Sequence, residues 1–380
     1  MTAPVHLFLM ACLYPGGVLD RSRLPSLTQR HTHSTNLPGP PDYAFRRFDQ
    51  RRVQIQPAPV RDLVMTGDQI YVDATAGLFD PLQRDQPLER AYSALSSQEW
   101  RKLAMNQLEA VALMDDHEVG DNWEPSADEE RNDQLRRQMK QARAMFLKSQ
   151  RSRPRNDALV QSYKLSSGHV LFAGDTRSER TVRDAALLNA ARIMSPGQLL
   201  GLVDTLARAP RDQWKFAATS SILLPRRLAT AHGPLSSGIR SDAWDGYPAS
   251  LHELLGRVAD ADLQHCVFLS GDEHIPCVAE ITLRACDSKI PSVKLWSVHA
   301  GALYAPYPFA NAVQEDFAET DVFDFVSPAG RSWTCSVQAH FAEYPDDGFV
   351  EITGGDGEPL QVVFRSAHGD RRDHTFPALA

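Results

Sequence analysis

The stretch VALMDDHEV, residues 111–119, is a short apolar run that ends in two aspartates, a histidine and a glutamate. Carboxylates beside an imidazole at the end of a strand can hold a divalent metal ion and move a proton next to it. Alone, the motif could arise by chance in an acidic chain. However, GDQIYVD (67–73) and SGDEH (270–274) show the same design. Three such runs predict one polar site where several strands end.

Composition limits the class of protein. The chain has 380 residues, of which 42% are hydrophobic and 23% charged, as is ordinary for a soluble globular protein. The net charge of −8 argues against a nucleic-acid partner, which normally meets a basic face. It does not argue against a phosphate-ester substrate, because metal ions can supply positive charge locally. Five cysteines without a CxxC pair make a disulfide framework or zinc finger unexpected.

Hydrophobic patterning bears on location. No apolar run reaches the roughly 18 residues that a membrane span needs. The opening HLFLMA (6–11) is short, lacks a basic start and reads as a strand rather than a signal peptide. We therefore expect a cytoplasmic protein for the chain as written, and an exported or periplasmic one if a leader precedes it. The pattern does not predict an oligomeric state.

Short apolar runs alternate with capped helices, which indicates α/β layering. Predicted strands cover residues 6–11, 61–66, 111–114, 168–173, 215–223, 264–269, 277–283 and 292–298. Predicted helices run from Ser96 to about Leu108, over residues 126–150 with an exposed charged surface, and from Pro196 to before Pro210 with Ser195 as N-cap. The composition of residues 20–58 is typical of a long loop or lid. Antiparallel strands are predicted over residues 333–364, and a solvated tail over residues 368–380.

Individual residues in the three motifs suggest ligands. Asp68 follows Gly67 after a strand and could bridge two cations, and Tyr71 lies close enough to join it. Asp272 and His274 alternate along an extended segment and so share a face. A turn aspartate, a core tyrosine and a buried, hydrogen-bonded histidine are the alternative interpretations for Asp68, Tyr71 and His274.

Seven blocks together resemble one known family, the alkaline phosphatase D (PhoD-like) metallophosphatases of the calcineurin-like superfamily. They occur in the family's order and are ACLYPGGVLDR (11–21), GDQIYVDA (67–74), MDDHEVGDNW (114–123), GDTRSER (174–180), SDAWDGYP (241–248), FLSGDEH (268–274) and LYAPYPFAN (303–311). The resemblance implies a single domain over residues 1–380 with a four-layer α/β/β/α sandwich. Segments 20–58 and 126–150 would be insertions.

The same resemblance implies a two-metal centre, with Fe³⁺ and Ca²⁺ as the expected ions and Zn²⁺ or Mn²⁺ as possible substitutes. Cys12 would supply a thiolate and Tyr71 a tyrosinate to iron, although a lone cysteine is more often a buried apolar residue. An oxygen-rich second site favours calcium. The implied ligands are Cys12, Asp68, Tyr71, Asp116, Asp272 and His274.

The implied reaction is hydrolysis of a phosphate ester by metal-activated water, with His117 as general acid and Arg177 stabilising phosphate charge. Two alternatives remain open: a phosphodiesterase acting on phospholipid or polymer diesters, and a non-catalytic metal-binding scaffold.

Several residues outside the ligand set have more than one interpretation. Arg177 and Asp175 could instead form a structural ion pair, and Asp245 could ligate the second ion or anchor a turn. His299 is expected to be a satisfied core histidine, and Arg226 and Arg227 to face solvent.

Overall fold

The computed structural model describes most of the chain. The described residues are 3–14, 40–57, 59–72, 88–89, 91–92, 106–149, 158–287, 289–305, 312–343, 347–355, 357–367 and 373–380. The predicted helix from Ser96 lies largely outside them.

Two mixed β-sheets form the centre of the molecule. The first contains β1 (Val5–Leu13), β2 (Asp62–Met65), β3 (Glu109–Ala112), β10 (Ala302–Tyr304), β13 (Gly348–Gly354), β14 (Gln361–Ser366) and β15 (His374–Thr375). Its order is β15-β14-β13-β1-β2-β3, with β10 also paired to β1. The second contains β4 (Gln161–Lys164), β5 (Val170–Ala173), β6 (Lys215–Ala218), β7 (Cys266–Ser270), β8 (Cys277–Ala285), β9 (Val293–His299), β11 (Thr320–Val326) and β12 (Ser332–Phe341). Its order is β11-β12-β8-β9-β7-β6-β5-β4.

Helices cover the outer faces of both sheets. They are α1 (Pro40–Gln54), α2 (Glu129–Ser149), α3 (Pro196–Arg208), α4 (Leu228–Ala231) and α5 (Pro248–Asp260), with 3₁₀ turns at Leu235–Arg240, Trp244–Gly246 and Gln314–Asp316. Phe45 of α1 and Phe146 of α2 pack on the first sheet, whereas Leu202 of α3 and Leu254 of α5 pack on the second. Between the sheets lies a third apolar layer that includes Leu7 and Phe216. The predicted four-layer α/β/β/α architecture is therefore confirmed.

Helix α3 follows its sequence signals closely. The Ser195 side chain accepts the backbone N–H of Gln198, Pro196 opens the helix, and the helix ends at Arg208 before Pro210. Helix α2 differs in its start, because Asp128 rather than Ser126 accepts the backbone N–H three residues ahead, that of Arg131.

Two segments differ from the sequence predictions. Within 20–58, the described part forms helix α1, whose Phe45 and Phe48 are buried. Its proline pair suits the first turn of a helix, and its arginine-rich composition conceals the apolar stripe. The predicted solvated tail is also wrong over residues 373–380. There β15 pairs with β14, and Phe376 and Leu379 are buried in the layer between the sheets.

Strand lengths vary modestly from the prediction. The strand predicted at 215–223 ends at Ala218, and the one predicted at 111–114 covers Glu109–Ala112. Strands β12, β13 and β14 are antiparallel to their neighbours, as predicted for 333–364. No helix in the described part of the chain is both long and apolar enough to cross a membrane.

Candidate metal centre

Strand ends from both sheets converge on one site. β1, β2 and β3 are parallel and in register, so their carboxyl ends meet at one edge of the first sheet. The loop after β7 reaches this edge from the second sheet at Gly271. A Cβ atom there would lie 2.1 Å from Ala11 Cβ and 2.5 Å from Thr66 Oγ1. Only glycine permits that approach, which joins the loops of the two sheets.

Predicted ligands occupy unusual backbone conformations. Cys12 (φ 53°), Asp68 (φ 53°), Asp272 (φ 101°) and His274 (φ 58°) all lie in the left-handed region. Side-chain-bearing residues rarely adopt it, and such strain clusters at functional sites, where the surrounding structure enforces it. The strained positions therefore mark the places where the chain is bent to aim a side chain into the site.

Three overlapping groups of donor atoms meet at this edge, and within each group the atoms lie within 4.8 Å of one another. The groups are Cys12–Asp68–His274, Asp68–Asp116–His117 and Asp68–Asp115–Asp116–Asp272. Asp68 belongs to all three, and its Oδ2 lies 3.4 Å from Cys12 Sγ. A carboxylate shared in this way is placed between two possible cation positions.

Tyr71 lies beside these groups. Its ring centroid is 4.2 Å from that of His117, and its buried hydroxyl has no hydrogen-bond partner among the described residues. Burial raises the pKa of Tyr71 well above its ordinary value, and the nearby Cys12 and Asp68 raise it further. A buried phenol oxygen without a partner is costly unless another group satisfies it, and a cation can do so.

The electrostatics indicate an excess of acidic groups. Burial raises the pKa of Cys12, and Asp68 and Asp272 raise it further. Burial also raises the pKa of Asp68 and of Asp272, with neighbouring carboxylates adding to the shift. For Asp115, burial and Asp116 outweigh Arg177 and raise the pKa to about 7. In each case the cause is the cost of holding like charges together away from water.

Arg177 balances part of this charge. It is fully buried, and its guanidinium contacts Asp115, Asp242 and Asp272, the last at 2.9 Å, with Asp116 at 3.5 Å. Arg177 is therefore ion-paired, but with these four aspartates and not with Asp175. Asp175 shapes the adjacent loop by accepting the backbone N–H groups of Arg177 and Ser178, each at 2.9 Å.

Sequence reasoning missed three acidic residues at this site. Glu118 accepts the backbone N–H groups of Asp68, Gln69 and Asp115 at 3.1, 2.9 and 2.8 Å, and so holds the first two motif loops together. Asp115 belongs to the four-carboxylate group, and Asp242 pairs with Arg177. The DDHE motif itself contains Asp115 and Glu118, but one-dimensional spacing does not show which carboxylate faces a ligand and which faces the backbone.

The ambiguous residues lie outside the three donor groups. Asp245 anchors a turn by accepting the N–H of Arg227 at 2.9 Å and the hydroxyl of Ser241. His299 is buried and bonds to Ser270 Oγ at 2.9 Å and to the N–H of Glu273 at 3.2 Å.

The prediction that Arg226 and Arg227 face solvent is wrong. Arg226 is bonded to Asp321, and Arg227 to Glu273. Both arginines are only partly exposed, because burying the two carboxylates requires a partner.

Comparison with known proteins decides the family. The sequence profile described as PhoD-like phosphatase matches residues 60–329. The chain belongs to the PhoD-like phosphatase family. Among solved structures, the "Structure of PhoD" matches with a TM-score of 0.60 and 14% identity over 99% of this chain and 69% of the other. The purple acid phosphatase PPD1 from yellow lupin (Lupinus luteus) seeds matches with a TM-score of 0.51 and 11% identity. That alignment covers 100% of this chain and 54% of the lupin protein. No curated protein matches the sequence.

The two structural matches show a shared metallophosphatase fold, and the family supports a metal-dependent phosphoesterase. The side chains of this molecule fit the metal ions that the family implies. Buried carboxylates outnumber the guanidinium that faces them, and the Tyr71 hydroxyl lacks a partner among the described residues. Bound cations would compensate both features.

Proposed function

We propose that this PhoD-like phosphatase hydrolyses phosphate esters at a two-metal centre. The observation that carries the proposal is the position of Asp68, which is shared by every group of donor atoms. A single bridging carboxylate between two cations is the arrangement that two-metal hydrolases use. The proposed ligands are Cys12, Asp68, Tyr71, Asp116, Asp272 and His274.

The donor chemistry supports two different ions. Cys12, Tyr71 and His274 offer sulfur, phenolate and imidazole, a set that suits ferric iron. Asp116 and Asp272 offer oxygen alone, which suits calcium. When bound, the ions supply Lewis acidity, which activates water and offsets the negative charge of the phosphate.

His117 is the proposed general acid. Its backbone N–H donates to Asp68 Oδ1 at 3.3 Å, and its ring packs against Tyr71, so two of the ligand residues hold it in position. An imidazole titrates near neutral pH and can therefore give a proton to a departing alkoxide without a large shift in pKa.

Arg177 is the proposed phosphate clamp. Two of its carboxylate partners, Asp116 and Asp272, are also proposed calcium ligands. These two carboxylates would hold a cation with the same oxygen lone pairs that now accept from the guanidinium, so their contact with Arg177 would weaken when a cation is bound. Both carboxylates contact Nη2, so the N–H groups of this one nitrogen would be free to donate to a phosphate oxygen.

Elemental analysis of the purified protein tests the metal proposal most directly. We expect one iron and one calcium per chain, and loss of iron in Cys12→Ala. Cys335→Ala is a matched control, because Cys335 is also buried but lies in β12 of the second sheet. Retention of iron in Cys12→Ala would remove the thiolate from the ligand set.

The role of His117 is tested by its alanine variant. Turnover of a chromogenic phosphate ester should fall by roughly 10²–10⁴, the usual contribution of a general acid. Metal content should stay at the wild-type level. Equal loss of metal and turnover would make His117 a ligand instead. Rates on p-nitrophenyl phosphate and on bis(p-nitrophenyl) phosphate then measure the preference between monoesters and diesters.

A further inference from the structure

His299 lies at the base of the third motif loop, residues 271–276. It is fully buried and is the last residue of β9, the strand between β7 and β8. The register pairs it with Ser270, the last residue of β7, and with Cys277, the first residue of β8. One side chain therefore stands between the two ends of the loop.

The hydrogen bonds of the His299 ring determine which nitrogen carries the proton. The backbone N–H of Glu273 lies 3.2 Å from Nε2, and because an N–H can only donate, Nε2 is the acceptor. In a neutral imidazole the proton is then on Nδ1, which donates to Ser270 Oγ at 2.9 Å. Both ring nitrogens are thus bonded, and the ring holds the loop at residue 273.

The loop is strained at the point where His299 holds it. Glu273 separates the proposed ligands Asp272 and His274, whose φ angles of 101° and 58° are both in the left-handed region. Such strain persists only where the surrounding structure enforces it. Glu273 is held twice, since its N–H bonds to His299 and its carboxylate pairs with Arg227. The bond to His299 is therefore one of the contacts that maintain the strained backbone.

The peptide unit held by His299 also contacts Cys12. The carbonyl oxygen of Asp272 lies 3.8 Å from Cys12 Sγ, and the N–H of Glu273 belongs to the same peptide bond. In a trans peptide the C=O and the N–H point in opposite directions, so holding the N–H at His299 turns the carbonyl towards the sulfur. Loss of the acceptor would leave a buried N–H without a partner, which favours rotation of the peptide.

We propose that His299 is a positioning residue for the metal centre. By accepting the N–H of Glu273, it fixes the orientation of the peptide that precedes this residue. That peptide sets the direction of Asp272 and His274 on either side of it, and it turns a carbonyl towards Cys12. The inference rests on the proposed function, because these three residues are proposed metal ligands.

Two amide variants separate this role from simple packing. Asn places its amide where Nδ1 of histidine lies, whereas Gln reaches the position of Nε2, so His299→Gln alone keeps an acceptor for the N–H of Glu273. Titration of the metal-free proteins with Co²⁺ measures affinity, and the thiolate-to-cobalt charge-transfer band reports the bond to Cys12. We expect His299→Asn to weaken Co²⁺ binding about 10–100-fold, the usual effect of losing a group that orients ligands, and to shift or weaken the band. His299→Gln should stay near the wild type in both.

His169→Asn is the matched control. His169 is also fully buried, and its Nδ1 bonds to a serine hydroxyl, that of Ser167, at 2.8 Å. It directly precedes β5 and so lies at the opposite end of the parallel strands β5, β6 and β7 from Ser270. Its substitution should leave Co²⁺ affinity and the band unchanged. If His299→Asn does not fold, His299→Met takes its place, because Met is close to Gln in length and lacks a strong acceptor.

Wild-type Co²⁺ affinity in His299→Asn, or an equal loss in His299→Asn and His299→Gln, would overturn the inference. An equal loss in His169→Asn would also overturn it, since the effect would then be a general one of removing a buried histidine. Absence of Co²⁺ binding in the wild type would overturn the metal centre and this inference together. Hydrolysis of p-nitrophenyl phosphate tests the phosphoesterase separately. Co²⁺ binding that depends on His299 in a protein without hydrolytic activity would support the inference and overturn the enzyme assignment.

Discussion

Two buried charge clusters of this molecule differ in their balance. Around Glu351, His6 donates at 2.8 Å, Arg51 at 3.0 and 2.8 Å, and Arg365 at 2.8 Å, and Arg365 also donates to Asp373 at 2.7 Å. Around Arg177 the ratio is reversed, since one guanidinium contacts four carboxylates. The first cluster is satisfied by the chain itself, whereas the second needs additional positive charge.

The pKa directions express the same difference. For Glu351, burial favours the neutral acid, but the hydrogen bonds from His6 and Arg51 and the charge of Arg365 outweigh it and lower the pKa to about 2. For Asp68 and Asp272, burial and neighbouring carboxylates act together and raise the pKa. The cluster around Glu351 stabilises its own charge and so contributes to the stability of the fold. The cluster around Arg177 does not stabilise all of its charges and is therefore suited to bind cations.

Removing Asp68, the residue common to the three donor groups, should have the largest effect of the changes considered. Asp68→Asn should lower kcat/KM roughly a thousandfold, as expected when several kcal/mol of Lewis-acid stabilisation is lost. The metal-free variant should nevertheless unfold at the same or a higher denaturant concentration than the metal-free wild type, because one buried like charge has gone. Steady-state kinetics and urea unfolding in EDTA measure both. A lower midpoint for the variant would show that Asp68 stabilises the fold without metal.

Removing the positive charge of Arg177 should have the second-largest effect. In the metal-free protein, Arg177→Gln should lower the free energy of unfolding by about 3–5 kcal/mol, the usual effect of leaving buried charges unpaired. Added Ca²⁺ should restore more stability to the variant than to the wild type, because the cation and the guanidinium balance the same carboxylates. Urea unfolding with and without Ca²⁺ provides the measurement. Identical Ca²⁺ effects in the two proteins would mean that the ion binds elsewhere.

The Glu351 cluster predicts a smaller effect with a defined pH dependence. Glu351→Gln should lower the free energy of unfolding by about 2–3 kcal/mol at neutral pH, since the folded-state pKa of about 2 lies below the roughly 4.3 of an unfolded glutamate. This contribution is present above the unfolded pKa and is lost as pH falls from about 4.3 towards 2. The free energies of unfolding of the two proteins, measured at several pH values in this window, should therefore converge as the pH falls. A difference that stays constant with pH would exclude ionisation of Glu351 as its origin.

The sequence predicted the donor residues because each follows an apolar run, and strand ends of an α/β sandwich meet at one edge. Cys12, Asp68 and His274 lie in three separate segments, yet the same local pattern marks the last two, and family resemblance supplied the first. The cap and the apolar stripe of helix α3 can be read directly from the sequence, whereas the layer order was implied by the family resemblance.

Other features depend on which loops meet, which the sequence does not display. Glu118 has a structural role only because the backbone of Asp68 lies beside it. In helix α1 the apolar residues stand among prolines and arginines, and Phe376 is buried because β15 pairs with β14. In each case tertiary contact, not local propensity, decides the outcome.

A surface pair completes the comparison with the smallest expected effect. Arg61, which directly precedes β2, contacts Glu109 of β3, but the two side chains remain 57% and 39% exposed. Water screens their attraction, and holding two long side chains costs entropy, so Glu109→Gln should change the free energy of unfolding by less than about 0.5 kcal/mol. Urea unfolding under the conditions used for Glu351→Gln measures this difference. A loss as large as that of Glu351→Gln would mean that burial and balance do not explain the stability of the Glu351 cluster. A negligible loss in Glu109→Gln would indicate that Glu351 is stabilising because it is a single buried charge with several donors. In the Arg177 cluster the opposite holds, since several buried carboxylates share one guanidinium.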